Sequence, residues 1–199
     1  MAHELTFDEA SHVYRLDGVV VPSVTQLLQP IRPDFDRIPP AVLEAKRALG
    51  IEVHFACELD DDDDLDEDSV PAAVEPYLQA WRKFKADAGV EVLANERKLV
   101  HVGLRFAGTL DRLVRVRAGD VYLIDLKTSI SMAPSFGVQL AGYQLLLEAA
   151  DDLAGVKLAR KGLQLRDDGT YRLIPYENPN DVAAFRACLS LHHWKASQP

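Results

Sequence analysis

Val121-Tyr122-Leu123-Ile124-Asp125-Leu126-Lys127 is rich in residues that favour strands, and along a strand side chains alternate between two faces. Tyr122, Ile124 and Leu126 therefore point one way, and Asp125 and Lys127 share the other. Upstream, Gly108-Thr109-Leu110-Asp111 lies in a second strand-like stretch, 104–116, and pairing the two as a hairpin brings the Asp111 carboxylate beside Asp125. Downstream, Gln139 and Tyr143 are one helical turn apart in a helix-forming run that begins after Pro134, so they share a face.

Two converging carboxylates suit a hard divalent cation such as magnesium or manganese. An ion held there polarises a phosphoryl oxygen and lowers the pKa of a bound water, and Lys127 is placed to orient that water or meet developing negative charge. An isolated D-x-K triplet is more often a surface ion pair, worth only about 0–1 kcal/mol. The order of the surrounding residues carries the stronger signal.

That order resembles the PD-(D/E)xK nuclease superfamily, and within it the RecB-like branch that includes phage exonucleases and CRISPR-associated exonucleases. The likeness extends from about Gly50 to Tyr143. Gly50-Ile51-Glu52-Val53-His54 fits the branch's G-x-x-x-H element, and the resemblance makes His54 a metal ligand. It likewise makes Asp111 the aspartate of G-x-x-D, Asp125 and Lys127 the D-x-K pair, and Gln139 and Tyr143 the Q-x-x-x-Y element that orients the site and contacts the DNA backbone. The carbonyl of Leu126 is expected to complete the metal shell. Leu110 stands where the superfamily's eponymous proline would be, a departure common in this branch.

Read alone, several of these residues have plainer explanations. His54 follows the helix-forming run 40–49, where a histidine is more often packed or exposed than a ligand. A glycine at position 50, one turn before it on the same face, would leave room for the sheet or a nucleic acid. Tyr143 alone would be half-buried packing. Glu96, in Asn95-Glu96-Arg97-Lys98, is a secondary candidate for an acid supporting the site, or an exposed strand residue.

A chain of 199 residues with 48% hydrophobic content can bury one substantial core and fits a single domain over 1–199. Neither a long apolar span nor a leader pattern is legible, so no membrane role and a cytoplasmic location are expected. Cys57 and Cys188 stand far apart and form no zinc-type pair. Both are expected to be reduced and buried, and two cysteines cannot supply the four ligands of an iron-sulfur cluster, so none is expected.

The net charge of −9 is local in origin. Nine of the 31 acids fall in Glu58 to Asp68, and the 22 that remain equal the 22 Lys and Arg residues. Five successive aspartates, Asp60 to Asp64, repel one another, which predicts a solvated acidic loop at about 58–70. From Arg97 to Lys127 the bias reverses, with basic residues suited to phosphate contacts of the sequence-independent kind.

The rest of the chain supplies a frame. Residues 12–16 and 19–21 around Asp17-Gly18 predict a β-hairpin, and Ser23 is a helix cap. The stretch 30–40 is a proline-rich connector, and 71–88 predicts a helix burying Val74, Leu78, Trp81 and Phe84. Strands at 91–100, 104–116, 121–127, 156–165 and 171–174, with helices after Pro134 and Asn180, predict an α/β fold: a restriction-endonuclease-like core whose mixed central sheet is flanked by helices. The expected function is a magnesium- or manganese-dependent DNA exonuclease acting on free ends in recombination or repair. A structure-selective endonuclease and a non-catalytic DNA-end-binding or assembly module are the alternatives. By resemblance to phage relatives, a single-strand annealing protein and a homo-oligomer are partners to test.

Overall fold

The computed structural model describes residues 3–34, 38–129, 131–150 and 156–198. It opens with β1 (Leu5–Asp8), β2 (Val13–Leu16) and β3 (Val19–Val21), a three-stranded antiparallel sheet. Asp17 and Gly18 turn β2 into β3 with φ of 51° and 79°, the left-handed pair that matches the twist of a tight hairpin. The predicted hairpin is thus present, and β1 extends it by pairing Leu5 with Leu16.

Ser23 caps α1 (Val24–Leu27) reciprocally: its hydroxyl accepts from the Gln26 amide at 3.1 Å, and the Gln26 side chain accepts from the Ser23 amide at 2.9 Å. Two longer helices follow, α2 (Pro40–Asp61) and α3 (Glu75–Ala88). Then come β4 (Glu91–His101), β5 (Phe106–Arg115) and β6 (Val121–Lys127), α4 (Ser135–Ala149), β7 (Leu158–Leu165), β8 (Tyr171–Pro175) and α5 (Asp181–Ala196). Residues 35–37 of the proline-rich connector lie outside the described residues.

The five later strands form one mixed sheet in sequence order. Every neighbouring pair is antiparallel except β6 and β7, whose parallel pairing requires a crossover that α4 provides. One sheet face carries Leu110, Leu113, Val121 and Leu123 into a core with α1, α4 and α5; the other carries Val114, Val116, Ile124 and Leu126 into a core with α2 and α3. The central sheet flanked by helices matches the fold class read from the pattern.

β6 is covered on both faces, so its alternation distributes residues between two cores instead of between core and solvent. Ile124 and Leu126 face α2 and α3. Asp125 and Lys127 take the parity of Val121 and Leu123, toward α4.

The acidic run behaves differently from the loop expected at 58–70. Helix α2 continues through Asp61, and a short 3-10 turn spans Glu67–Ser69. Asp60 and Asp61 are tucked against basic partners. Asp60 meets Arg82 and Lys85, both at 2.6 Å; Asp61 meets Lys85 at 2.8 Å, Arg112 Nε at 2.7 Å and the indole N–H of Trp81 at 2.9 Å. Glu67 completes the group through Arg82. Mutual repulsion among the aspartates is offset because three bases from α3 and β5 converge on two of them. Arg112 is therefore fully buried in the interior and is withdrawn from the set of residues available to phosphates.

Candidate active site

β5 and β6 pair only between Arg112–Ile124 and Arg115–Val121. Beyond Ile124 the strands part, while β6 stays paired to β7 through Lys127. The backbone of Leu126 then takes side-chain partners. Its N–H donates to Asp111 Oδ2 at 2.7 Å, and its carbonyl accepts from His54 Nε2 at 3.0 Å. An open fork between two strands, closed by side chains, is the floor of the site.

His54 reaches this fork from α2. Because its Nε2–H is used by the carbonyl, its Nδ1 faces Glu96 Oε1 at 3.7 Å and Asp111 Oδ2 at 3.8 Å. Burial works against a charged imidazole here, but Asp111 and Glu96 outweigh it and raise the His54 pKa. A nitrogen turned toward two carboxylates calls for a proton or a cation. Among the described residues, His54, Glu96 and Asp111 offer ligand atoms all within 4.8 Å of one another.

Glu96 and Asp111 come together through strand register. The pairs Asn95–Arg112 and Arg97–Leu110 flank them, which sets the two acids opposite each other on β4 and β5. Like charges in that arrangement destabilise a sheet unless a cation lies between them. Glu96 also adopts φ of 40°, a left-handed conformation that costs a non-glycine residue on the order of 1–3 kcal/mol. Its Oε1 accepts from Arg112 Nη1 at 3.1 Å, so the buried guanidinium tethered by Asp61 also steadies the acid.

Asp125 is almost wholly buried and paired differently. Its Oδ2 stands 2.6 Å from Lys127 Nζ, and its Oδ1 accepts from Gln139 Nε2 at 3.0 Å. Burial pushes the Asp125 carboxyl up, with Lys127 opposing and Asp111 reinforcing the rise. Burial also disfavours the Lys127 ammonium, but Asp125 and Asp111 outweigh it, so its pKa is raised and it is held charged. The Lys127 ammonium additionally lies 5.0 Å from the centre of the Phe136 ring.

The glutamine and tyrosine of α4 lock the two motifs together. Gln139 Nε2 also reaches Tyr143 Oη at 3.3 Å, and burial drives the Tyr143 phenol well above its ordinary pKa. Gly108 accommodates the tyrosine, since a Cβ at 108 would meet Tyr143 Cε1 at 2.9 Å. Gly50, in contrast, has ordinary space around it. A Cβ there would meet Thr128 Oγ1 at 3.7 Å, so no close approach of the sheet explains that glycine.

The fold gathers His54, Glu96, Asp111, Asp125, Lys127, Gln139 and Tyr143 along one cavity of about 920 Å³. Its acids divide into two groups that the sequence had put together. Asp111 joins His54 and Glu96, whereas Asp125 faces Lys127 and Gln139. The Leu126 carbonyl, expected in a metal shell, is engaged here by the His54 N–H. Orientation of a ligating imidazole by a backbone carbonyl is a common arrangement around protein-bound metals. The carboxylate oxygens of Glu96 and Asp111 also suit the divalent ions expected from the sequence.

A family model for the PD-(D/E)XK nuclease superfamily matches residues 26–191. The chain belongs to the PD-(D/E)XK nuclease superfamily. No curated protein matches it. PD-(D/E)XK nucleases use divalent metals, and the His54, Glu96 and Asp111 cluster is a donor set of that kind. The five-stranded mixed sheet and flanking helices agree with the superfamily's restriction-endonuclease-like fold. Within the match lie all the candidate residues, while β1–β3 precede it. No described helix is long and apolar enough to cross a membrane.

Proposed function

We propose that this nuclease is a divalent-metal-dependent DNA exonuclease of the RecB-like branch, hydrolysing phosphodiester bonds at DNA ends in recombination or repair. The observation that carries the proposal is the joining, in one cavity, of the His54, Glu96 and Asp111 donor cluster to the Asp125–Lys127 pair. Magnesium or manganese bound by His54, Asp111 and Glu96, with Asp125 adjoining, would supply charge stabilisation and a more acidic water.

The chain's own residues supply the remaining functions. Lys127 holds an attacking water or meets the negative charge that grows on the phosphoryl oxygens as water adds to phosphorus and the P–O bond breaks. Asp125 keeps that ammonium charged and in place, Gln139 fixes Asp125, and Tyr143 backs Gln139. Exonuclease action follows from the resemblance to RecB-like exonucleases through His54, Gln139 and Tyr143. A DNA substrate and two buried cysteines fit a cytoplasmic enzyme. A single-strand annealing protein and a second copy of the chain are the partners to test.

The test compares wild type with Asp111→Ala and Lys127→Ala on end-labelled linear DNA and covalently closed circles, with magnesium, manganese or chelator. Metal-dependent loss of linear DNA alone, abolished in both variants, is the expected result. Cutting of closed circles points to an endonuclease. Undiminished cleavage by the variants removes the site assignment, and DNA binding without cleavage by wild type under every metal condition leaves a binding module.

A further inference from the structure

The cleft has a wall that the nuclease chemistry does not use. Phe7, Glu9, His12 and Tyr14, from the β1–β2 segment, line the same cavity as the metal-donor cluster and Lys127. This wall lies outside the 26–191 family match. It is fixed to the site. Tyr14 Oη and Thr109 Oγ1 are 2.7 Å apart, two residues from Asp111, and Tyr14, Leu16 and Val21 pack on Ala107 of β5.

Three of these four side chains carry rings. Phe7 and Tyr14 have centroids 4.5 Å apart, and His12 meets both edge-on, at 5.2 Å and 5.7 Å. His12 itself is exposed and Phe7 half-buried. Lys98 Nζ, 5.4 Å from the Phe7 centroid, brings a positive charge to the same wall. On α2, Arg47 and Ile51 line the cavity as well; both are exposed, Arg47 two turns and Ile51 one turn before His54.

We propose that the β1–β2 segment, with His12 foremost and Phe7 behind it, is a stacking wall for an unpaired nucleobase of the strand that enters the metal cleft. The proposal rests on the nuclease reading and specifies its substrate as an unpaired strand or a frayed end. Rings beside a cationic side chain are the elements that hold single-stranded nucleic acid: every base has a face to stack, and the backbone has phosphates to neutralise. Intact duplex keeps its base faces within its own stack and offers this wall only sugar and phosphate. An exposed imidazole backed by two aromatic rings contributes to binding once a base is released.

The experiment uses the full chain in calcium or chelator, so that binding is read without cleavage. A single-stranded oligonucleotide carrying 2-aminopurine near its end, and the same strand in a blunt duplex, are titrated and followed by fluorescence. Wild type should quench the single strand and bind it more tightly than the duplex. His12→Ala should weaken that affinity by roughly tenfold, the size of one lost base–ring stack, and His12→Tyr should restore it. Phe7→Leu should weaken it too, with circular dichroism verifying the fold of each variant. Equal affinity for single strand and blunt duplex, or unchanged quenching in His12→Ala, overturns the stacking wall. Metal-dependent cleavage that persists alongside either outcome leaves the nuclease reading standing. Quenching that depends on His12 in a protein that cleaves no DNA keeps the wall and removes the nuclease reading instead.

Discussion

Glu96 and Asp111 face each other across β4 and β5, between the pairs Asn95–Arg112 and Arg97–Leu110, with the His54 Nδ1 within 4 Å of both. Backbone register sets the two carboxylates opposite each other. A cation is the simplest way to relieve them. Manganese at about a hundred times its dissociation constant should therefore stabilise wild type by about 2.7 kcal/mol in thermal unfolding. Glu96→Gln and Asp111→Asn should each lose most of that gain. Full retention in Glu96→Gln would take Glu96 out of the metal shell.

Protons compete with metal at His54. Its raised pKa means that protonation sets in above the ordinary value of 6.5, so manganese affinity in calorimetry should begin to weaken above that pH and fall further below it. In the metal-free protein the sign is opposite. A raised folded-state pKa contributes stability that is fully present below 6.5 and is lost as pH rises through the folded value. The imidazole titration followed by NMR in chelator should have its midpoint above 6.5, and a midpoint below it contradicts the influence of Asp111 and Glu96 on His54.

Gly108 and Tyr143 interlock two sequence motifs. Gly108→Ala forces a methyl against Tyr143 Cε1 at 2.9 Å and Val24 Cγ2 at 3.0 Å, and overpacking of this kind costs about 1–3 kcal/mol. In urea unfolding, Gly108→Ala combined with Tyr143→Ala should be less destabilising than the sum of the single changes, because the ring that obstructs the methyl is gone. Strict additivity would show that the two residues are not coupled.

The buried pair of Asp61 and Arg112, both side chains at 0% exposure, gives the largest expected stability effect. Asp61→Ala leaves an interior guanidinium without its main partner and should cost about 3–5 kcal/mol in chemical denaturation. Replacing Asp62 or Asp63, which have no part in that pairing, should change stability far less. Because Arg112 also holds Glu96, Asp61→Asn should loosen manganese binding as well as destabilise the fold.

Acid should unfold the same region. Asp60 is half-buried, which opposes its charge, but hydrogen bonds from Lys85 and Arg82 bring its pKa below 3.8. A depressed folded-state pKa contributes stability above the unfolded value of 3.8, lost as pH falls through the folded value. Acid titration of Asp60→Asn should therefore show a shallower loss of stability below about pH 4 than wild type, and an identical curve would contradict the pairing.

Most of the local order was legible in the chain's short-range pattern. Alternation in Val121 to Lys127, the left-handed turn at Asp17-Gly18, the Ser23 cap and the apolar spacing of Val74, Leu78, Trp81 and Phe84 each rest on interactions within a few residues, so each was readable from neighbours. The order of Gly50, His54, Asp111, Asp125, Lys127, Gln139 and Tyr143 was legible too, through the resemblance of its short elements, G-x-x-x-H, G-x-x-D, D-x-K and Q-x-x-x-Y, to the PD-(D/E)xK nucleases.

What those residues touch depends on long-range packing. Glu96 rises from a secondary candidate to a neighbour of His54 because cross-strand register is a long-range property, and nothing at Asn95-Glu96-Arg97 announces it. Asp60 and Asp61, read as loop, are helical and tucked against the protein because their neutralising bases arrive from α3 and β5, some 20 to 50 residues away in sequence. The split between an acid that meets a histidine and an acid that meets a lysine arises where β5 and β6 separate beyond Ile124. Short-range sterics and periodicity set the elements and their order; distant backbone register and the balance of buried charge set the site.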